Sequence, residues 1–423
     1  MLMAEWLCRW NMKRSVVITG IGAVSPIGNT AHEMWNGIKN QVCGIDKITH
    51  FDTTDFKVCL AAEVKNLDME QYFTKRELKF NDRFTQFARI ASKQALLDSQ
   101  LDVSNCDMDR FGVLIASGIG GIESIEEAEI TLSTRGPSKV SPYFIPKSLV
   151  NLSAGCVAID IGAKGHCSSV VTACAAGSNA IGEAFHKIRD GYEDIMLCGG
   201  SEASITPLAL AGFSSMRALH EGDNPNRASI PFDKNRHGFV MGEGAGMLVL
   251  EEKEHALSRN AHIYAEIIGY GENCDANHIT APLHDGSGGG KAMIKAMKDA
   301  NIQPKDIDYI NAHGTSTPLN DKSETLAVKY AFQDAAYQIA ISSTKSNTGH
   351  LLGASGAIEA IICVKALEEG YIPPTINYEQ QDEECDLDIV PNVGRYQNIQ
   401  YAMSNSLGFG GHNASLIFKK VGK

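Results

Sequence analysis

Two distant stretches of the sequence share a residue pattern that predicts an internally repeated fold. The segment CAAGSNAIGEAF begins at Cys174 and aligns without gaps on HLLGASGAIEAI, which begins at His350. Both stretches follow an apolar run that is typical of a strand, and both continue with helical periodicity. We therefore expect two similar halves that present helix N-termini to a common site, one with a thiol and the other with an imidazole. Identical residues coincide at Gly177/Gly353, Glu183/Glu359 and Ala184/Ala360.

The rest of the chain alternates between apolar runs and helical patterns, which predicts an α/β fold with largely buried sheets. The two halves would span residues 13–260 and 261–423, joined near the charged stretch 251–262, after an irregular leader at residues 1–12. Strands are expected at residues 14–25, 110–121, 167–173, 194–200, 246–252, 307–313, 338–344, 401–406 and 414–420. Helices are expected, among others, at residues 181–190, 289–300, 321–332 and 353–369.

Charge, cysteine content and hydropathy narrow the class of protein. The 423-residue chain carries a net charge of −12, which argues against a nucleic-acid partner and confines any acidic protein partner to a local basic patch. Its 11 cysteines are an odd number without a C-x-x-C pair, which argues against disulfides and structural zinc and for a reducing cytoplasm. No apolar stretch approaches the roughly 18 residues of a membrane span, and the leader is a poor signal peptide. We expect a cytoplasmic enzyme without membrane contact.

Three glycine-rich loops have different interpretations. GIGAVS, at residues 20–25, has Ser25 where a dinucleotide fingerprint needs its third glycine, so a nicotinamide or flavin site is not expected. GSGGG, at residues 286–290, lacks the lysine and hydroxyl residue of a phosphate-binding loop and is interpreted as a surface loop. GFGGHN, at residues 408–413, lies between two predicted strands, where glycines would let the backbone approach a ligand.

Four segments place polar or glycine residues at the ends of predicted strands, where ligands bind in open α/β sheets. They are TACAAGS around Cys174, NAHGTSTPLND (311–321), SSTKSNTGHLLGASG (342–356) and NSLGFGGHN (405–413). A cysteine among small residues, taken alone, is most often an inert packed residue. In combination with the other segments it is expected to be a nucleophile. His166, His237 and His412 are interpreted as ordinary surface or core residues.

These segments resemble the motifs of the thiolase-fold condensing enzymes, and most closely the type II β-ketoacyl-acyl carrier protein synthases. The resemblance runs from about Lys13 to Lys420 and includes the connecting segments 231–252 and 373–379. It implies a five-layered αβαβα fold from two fused halves, and a homodimer. It also implies condensation of malonyl and acyl groups that arrive on an acyl carrier protein. Phosphopantetheine would come with that carrier, and the enzyme would need no cofactor or metal of its own.

The resemblance implies catalytic roles for five matching side chains. Cys174 would take the acyl chain, while His313 and His350 would bind the malonyl thioester and promote its decarboxylation. Lys345 and Glu359 would organise the two histidines. Chemically, a helix N-terminus lowers a thiol pKa by up to about 1.5 units. Two neutral imidazole N–H groups can stabilise the enolate oxygen that decarboxylation creates.

Further residues follow from the same resemblance. The backbone N–H groups of Cys174 and Phe409 would form an acyl oxyanion hole, with Gly408 beside it. Thr315 and Thr317 would contact the phosphopantetheine arm, and Ile119 would lie along the acyl pocket. Lysine 345, glutamate 359 and phenylalanine 409 could each also be structural, and the two threonines and Ile119 could serve ordinary packing or turn formation.

Two residues depart from the family pattern, and three alternatives remain open. Leu407 and His412 stand where phenylalanine and threonine are expected, which leaves gating and chain-length preference open. The alternatives are a type I synthase or polyketide ketosynthase of the same fold, a cysteine hydrolase, and a non-catalytic partner in a complex. A cysteine at 174 argues against inactive chain-length-factor relatives, and His350 against non-decarboxylating thiolases.

An acidic carrier protein must dock on an acidic chain, so a local patch of basic residues is expected to overcome the overall repulsion. The alternative is that these residues are simply solvated surface charges. The candidates are Lys75, Arg76, Lys79, Lys139 and Arg217.

Overall fold

Residues 13–422 are described by a computed structural model, and the predicted leader at residues 1–12 lies outside them. Two pairs of short strands, β2 with β3 and β11 with β12 below, form separate ribbons, and the other ten strands form one sheet. The described strands are β1 (Val16–Val24), β2 (Asp46–Lys47), β3 (Leu60–Ala61), β4 (Phe111–Ala116), β5 (Cys167–Ser168), β6 (Ile195–Glu202), β7 (Gly244–Glu252), β8 (Ala265–Cys274), β9 (Tyr309–Asn311), β10 (Ala340–Ser342), β11 (Tyr371–Ile372), β12 (Arg395–Tyr396), β13 (Tyr401–Gly408) and β14 (His412–Lys420).

The main sheet consists of two five-stranded halves with the same topology. Its order is β10-β9-β13-β14-β8-β1-β7-β6-β4-β5. From the centre outward, β1, β7 and β6 are antiparallel neighbours, and β4 and β5 continue in parallel. The same pattern runs from β8 through β14, β13 and β9 to β10. The halves meet where β1 pairs antiparallel with β8, and the prediction of two similar halves is confirmed.

The helices complete five layers. Helices α7 and α13 pack on each other and contact strands of both halves, so they form the middle layer. Helices α3 and α6 cover the outer face of the first half, and α10 covers that of the second half together with its neighbour α11. The predicted αβαβα arrangement is confirmed. The described helices are α1 (Ala31–Lys39), α2 (Lys75–Phe80), α3 (Arg83–Ser99), α4 (Ile122–Arg135), α5 (Phe144–Ser148), α6 (Leu152–Ile161), α7 (Ala176–Arg189), α8 (Pro207–Ser215), α9 (Lys253–Ser258), α10 (Ser287–Ala300), α11 (Pro318–Phe332), α12 (Lys345–Thr348) and α13 (Ser355–Glu369).

The repeated segments form equivalent elements in a different register from the predicted one. A residue with left-handed φ stands just ahead of each central helix: Ala173 (49°) before α7 and Leu352 (47°) before α13. Matching these turns pairs Cys174 with Gly353, so the alignment of Cys174 on His350 is wrong by three residues. Gly177 and Gly353 are not equivalent positions but neighbours in space, since a Cβ on Gly177 would lie 2.9 Å from the Gly353 carbonyl oxygen.

Two strands of the main sheet differ from the prediction. The run expected at 167–173 forms a strand only at Cys167–Ser168, because the chain leaves the sheet for the turn at Ala173. Strand β8 was not predicted, since Gly269 and Gly271 weaken its strand signal. These glycines allow α10 to approach closely, and a Cβ on Gly271 would lie 2.2 Å from the carbonyl oxygen of Ala292. In the part of the chain from residue 13 to 422, every helix is too short or too polar to cross a membrane.

Candidate active site

A cavity of about 370 Å³ connects the surface to the meeting point of the two halves. Its buried inner end is formed by Cys174 from the first half and by His313 and His350 from the second. Exposed residues, including Arg217 and His237, line its outer end. The cavity therefore gives an extended ligand access to a thiol and two imidazoles.

Cys174 lies in a single 3₁₀ turn, Ala173–Ala175, that leads directly into α7. The left-handed φ of Ala173 is unusual for a residue with a Cβ, and such strain is typical of functional turns. The Cys174 sulfur and one ring nitrogen each from His313 and His350 lie within 4.8 Å of one another. The fold thus brings together the three predicted catalytic side chains from separate parts of the sequence.

The electrostatics of Cys174 differ from the prediction. Burial raises the pKa of its thiol to about 12, and the Glu202 carboxylate acts in the same direction. The charge of Lys345 and the N–H groups of Phe409 and Cys174 favour the thiolate but do not cancel the effect of burial on this pKa. The thiol pKa is therefore raised and not lowered as predicted, because desolvation outweighs the groups that favour the thiolate. The thiol has to give its proton to a base, and the His313 imidazole is within reach.

The backbone around the thiol is arranged to donate hydrogen bonds. The N–H groups of Cys174 and Phe409 both interact with the sulfur. Their role as an oxyanion hole for the acyl group stays a prediction. Gly408 makes this approach possible, since a Cβ there would lie 2.7 Å from the Thr172 carbonyl oxygen and 3.3 Å from the Cys174 nitrogen. Phe409 itself is half-buried and its side chain lines the cavity.

The hydrogen bonds of His350 fix which ring nitrogen carries its proton. The backbone N–H of Leu352 donates to Nδ1 at 3.3 Å, and the Ser355 hydroxyl lies 2.9 Å from the same nitrogen. Nδ1 is therefore an acceptor, and in the neutral ring the proton resides on Nε2. His350 consequently presents an N–H donor to the cavity.

His313 is held through its backbone. The Glu324 carboxylate accepts the N–H groups of His313 and Gly314, both at 2.7 Å. The ring lies 5.2 Å from that of His350, at an interplanar angle of 85°. Burial lowers the pKa of both imidazoles well below the usual value, and the positive charge of Lys345 lowers it further. Both rings are therefore neutral at pH 7.

Lys345 and Glu359 form a buried ion pair behind the two histidines, with both side chains almost fully inaccessible to solvent. Burial raises the pKa of Glu359 to about 7, against the effect of Lys345. The pair places a positive charge where it affects the thiol and both imidazoles. The role of Lys345 and Glu359 in organising the two histidines stays a prediction.

The thiol and the two imidazoles have the residue types and the spacing of a transition-metal site. The tautomer of His350 argues against that use, because a metal on Nε2 would leave the proton on Nδ1, facing the Leu352 N–H. The same Nε2–H group is well placed for hydrogen bonding. The donor set therefore suits an oxyanion better than a cation.

Two buried carboxylates near the site were not predicted. Glu324 holds the His313 backbone, and Glu202 joins the two halves by accepting the N–H groups of Gly118 at 2.7 Å and Gly353 at 3.0 Å. Burial raises the pKa of Glu202, and it raises that of Glu324 to about 7. An acidic residue at the end of the otherwise apolar β6 was the signal that could have identified Glu202.

Some of the predicted substrate-contacting residues line the cavity and others do not. The Thr315 and Thr317 hydroxyls lie 3.0 Å apart and both residues line the cavity, although Thr317 also caps α11. Ile119 does not line the cavity but packs in the same apolar cluster as Cys174. Leu407 lines the cavity, while the ring of His412 lies against Gly410.

The predicted docking residues fall into two groups. Arg217 lines the cavity, whereas the other four do not. Lys75, Arg76 and Lys79 share helix α2, whose last residue, Phe80, packs on Tyr143 at a ring distance of 4.3 Å, near Lys139 in the chain. All five side chains are exposed.

Comparison with known proteins gives matches over both halves. Residues 13–256 match the family described as "Beta-ketoacyl synthase, N-terminal domain", and residues 264–379 match "Beta-ketoacyl synthase, C-terminal domain". Proteins named 3-oxoacyl-[acyl-carrier-protein] synthase 2 are similar along almost their whole length. The one from Synechocystis sp. is 52% identical over 96% of this chain and 98% of its own. One from Staphylococcus aureus is 52% identical over 97% and 99%.

Solved structures agree with this. A ketosynthase in complex with its type II polyketide acyl-carrier protein, bound to a hexaketide, superposes with a TM-score of 0.91 at 37% identity, covering 97% of this chain and 100% of that one. A β-ketoacyl synthase from Burkholderia phymatum superposes with a TM-score of 0.89 at 34% identity and the same coverage. The chain belongs to the β-ketoacyl synthase family, and its fold is the thiolase-like fold of the ketosynthases.

Proposed function

We propose that this chain is an acyltransferase that condenses malonyl-acyl carrier protein with an acyl group held on Cys174, and so elongates fatty acids by two carbons. One observation carries the proposal: a thiol and two neutral imidazoles lie within 4.8 Å of one another at the inner end of a cavity open to the surface. The relatives named 3-oxoacyl-[acyl-carrier-protein] synthase 2 support the substrate class and the type II assignment.

The first half-reaction transfers the acyl chain to the enzyme. The Cys174 sulfur attacks the thioester carbonyl carbon while its proton passes to a neutral imidazole. The N–H groups of Cys174 and Phe409 donate to the oxygen of the tetrahedral intermediate. The carrier's thiolate leaves and takes up a proton, so a new C–S bond replaces the old one.

The second half-reaction creates and uses a carbon nucleophile. Loss of carbon dioxide from the malonyl thioester leaves an enolate, whose oxygen accepts hydrogen bonds from Nε2–H of His350 and from the ring of His313. One donor of this kind contributes about 2.7–4 kcal/mol to transition-state stabilisation. The enolate carbon then attacks the acyl-Cys174 carbonyl carbon, the thioester C–S bond breaks, and the leaving Cys174 thiolate takes up a proton from solvent, which regenerates the resting thiol. The buried site keeps water away from the carbanion.

The alternatives are supported differently. The similarity to a polyketide ketosynthase at 37% identity makes that activity the second candidate. A cysteine hydrolase would need a carboxylate that orients an imidazole. In residues 13–422, the imidazole rings of His313 and His350 form no hydrogen bond to a carboxylate. The Ser355 hydroxyl and the Leu352 N–H both contact Nδ1 of His350.

The proposal includes the setting of the enzyme. It would act in the cytoplasm on acyl and malonyl groups delivered by an acyl carrier protein. The phosphopantetheine would belong to that carrier, and the enzyme itself would need no cofactor. It would be a homodimer. Strand β5 is at the edge of the main sheet, and the chain from residue 125 to 171, which includes β5, exposes several large apolar side chains that a second copy could cover. Light scattering should give twice the chain mass of 45.6 kDa, and a monomeric mass would refute this part.

The test separates the three classes of function. The protein is incubated with acyl-carrier thioester, the acyl adduct is located on Cys174 by mass spectrometry, and malonyl-carrier thioester is then added. A stable adduct that only malonyl discharges supports condensation. Rapid discharge by water would indicate a hydrolase, and absence of an adduct would indicate a non-catalytic role.

A further inference from the structure

Glu202, at the end of β6, is a buried carboxylate without a cation partner. Its side chain is inaccessible to solvent, and in the chain from residue 13 to 422 no lysine, arginine or histidine forms an ion pair with it. Taking a charge out of water costs free energy unless hydrogen bonds compensate for the loss. The donors around Glu202 therefore indicate which parts of the structure this carboxylate holds.

These donors come from both halves of the molecule. Oε2 of Glu202 accepts the N–H groups of Gly118 at 2.7 Å and Gly353 at 3.0 Å. Oε1 accepts the Ser117 hydroxyl at 2.9 Å and the Ile119 N–H at 3.3 Å. Burial raises the pKa of Glu202, but the N–H groups of Gly118 and Gly353 favour its ionised form. One carboxylate thus ties the turn after β4 to the turn before α13.

The turn before α13 also holds the ring of His350. The Leu352 N–H donates to Nδ1 of His350 at 3.3 Å, and the next N–H along the chain, that of Gly353, donates to Glu202. Leu352 has a left-handed φ of 47°, which is unfavourable for a residue with a Cβ. Acceptors on two successive N–H groups stabilise this conformation, so Glu202 helps to orient the His350 ring.

The turn that contains Cys174 packs on the same group of residues. A Cβ on Gly118 would lie 2.8 Å from Oε2 of Glu202 and 3.6 Å from the Ala173 carbonyl oxygen. Since Ala173 directly precedes Cys174, the absence of a side chain at Gly118 lets the thiol turn approach the carboxylate.

The carboxylate also affects the thiol through its charge. Burial is the main cause of the raised pKa of Cys174, the charge of Lys345 lowers that pKa, and the charge of Glu202 raises it. The rings of His313 and His350 beside the sulfur are neutral at pH 7. Glu202 is therefore the group whose charge opposes that of Lys345 at the thiol.

We propose that Glu202 is a positioning residue for the condensation, which clamps the Cys174 turn and the turn after His350 in their reactive arrangement and places a negative charge near the thiol. The inference rests on the proposed function. Glu202 does not line the cavity, so it acts through these two turns and not through contact with the substrate. Its charge favours the protonated thiol, so that the sulfur loses its proton only as His313 accepts it during acyl transfer.

Glu202→Gln tests the charge. The amide oxygen can still accept the N–H groups of Gly118 and Gly353 while the NH₂ group faces the Ser117 hydroxyl, so the clamp remains and the charge is lost. Alkylation of Cys174 by iodoacetamide, measured by peptide mass spectrometry from pH 7 to 9, should become about two- to fourfold faster at each pH. A lower pKa raises the thiolate fraction, and the weaker nucleophilicity of a more acidic thiol offsets part of that gain.

Asp82→Asn is the matched control. Asp82 is also a buried carboxylate without an ion pair in the described chain, and it accepts the N–H groups of Phe84 at 3.3 Å and Ser124 at 3.1 Å. Because Asp82 does not line the cavity, alkylation of Cys174 should proceed at the wild-type rate in this variant.

Glu202→Leu tests the clamp. It leaves the N–H groups of Gly118 and Gly353 without an acceptor, so the two turns can relax. Acyl-adduct formation on Cys174 and carbon dioxide release from malonyl-carrier thioester should both fall about tenfold or more in the folded protein. If leucine prevents folding, Glu202→Asp gives the same test, because its carboxylate is one methylene too short to reach both turns.

Two results would overturn the inference: an alkylation profile of Glu202→Gln that equals the wild-type profile, or undiminished acyl uptake and carbon dioxide release in the folded clamp variant. Equal acceleration in Asp82→Asn would also overturn it, since any buried carboxylate would then have the effect. Iodoacetamide needs no acyl donor, so the charge test is decided even if the wild-type protein forms no acyl adduct, a result that would overturn the proposed function instead.

Discussion

At the scale of single residues, burial determines the protonation states of Cys174, His313 and His350. It raises the pKa of the Cys174 thiol to about 12 and lowers the pKa of His313 and His350 well below the usual value. At neutral pH the resting site therefore holds a protonated thiol and two neutral rings. Acyl transfer then depends on passing a proton from sulfur to nitrogen, and not on a preformed thiolate.

Alkylation of Cys174 tests this state directly. Since the thiolate fraction rises tenfold per pH unit below the pKa, the rate with iodoacetamide should increase about tenfold per unit from pH 7 to 9. Peptide mass spectrometry identifies the modified residue, and Cys174→Ala gives the background from the other cysteines. A rate that levels off below pH 8 would mean that the helix N-terminus outweighs burial.

The ion pair behind the histidines should be costly to break on one side only. Glu359→Gln leaves the buried Lys345 ammonium without a counter-charge, so the free energy of unfolding should fall by about 3–5 kcal/mol. Urea denaturation measures the change. The double variant Glu359→Gln, Lys345→Met removes both charges and should recover most of the loss. If the double variant is no more stable than the single one, the uncompensated charge is not the cause.

At the scale of elements, the site depends on how closely α7 and α13 approach each other. A Cβ on Gly177 would lie 2.9 Å from both the Gly353 carbonyl oxygen and the Ala357 nitrogen, which are backbone atoms that cannot rotate away. The turn that contains Cys174 leads into α7, and His350 lies just before α13 in the chain. A small change in this contact therefore moves the thiol relative to the imidazoles.

Gly177→Ala should consequently destabilise the protein by about 1–3 kcal/mol through overpacking, and it should slow acylation of Cys174. The matched control is Gly155→Ala in α6, where an added Cβ meets no atom within 4 Å. That change should be neutral or raise stability by up to about 1 kcal/mol. Equal effects of the two substitutions would show that the helix contact is not critical.

We expect the loop that follows β13 to separate the entry of the acyl substrate from the entry of the malonyl substrate. Gly410 and Gly411 have φ values of 86° and 76°, a conformation that favours glycine, and Phe409 beside them lines the cavity. Phe409→Ala keeps the backbone donor but removes the side chain that would separate acyl from malonyl entry. We expect slower condensation with largely intact acylation, measured as product formation and intact mass. A parallel fall in both would assign Phe409 a structural role.

The sequence predicts elements better than it predicts their environment. Strong apolar runs located most strands, and the motif segments identified Cys174, His313 and His350. The missed strand β8 contains glycines that packing against α10 explains, and the register of the repeat follows from the left-handed turns at Ala173 and Leu352, which the residue pattern does not reveal. The thiol pKa and the roles of Glu202 and Glu324 depend on contacts between residues far apart in the chain, which local patterns do not contain.

At the scale of the whole molecule, two halves of the same topology each supply part of one reaction. The first half provides the thiol in the turn that leads into its central helix, and the second provides the imidazoles and the ion pair behind them. Glu202 of the first half accepts the N–H of Gly353 in the second, so the halves are fixed against each other at the site. This division predicts that acyl uptake and decarboxylation can be lost separately.

The most direct measurement follows labelled carbon dioxide release and intact-protein mass in Cys174→Ala and His350→Ala, each shown to be folded. Cys174→Ala should take up no acyl group yet still release some carbon dioxide from malonyl-carrier thioester, because both imidazole donors remain. His350→Ala should still form the acyl adduct, while decarboxylation falls by roughly 10²–10³-fold, the loss of one oxyanion donor. Abolished carbon dioxide release in folded Cys174→Ala would contradict the account, as would loss of the adduct with unchanged decarboxylation in His350→Ala.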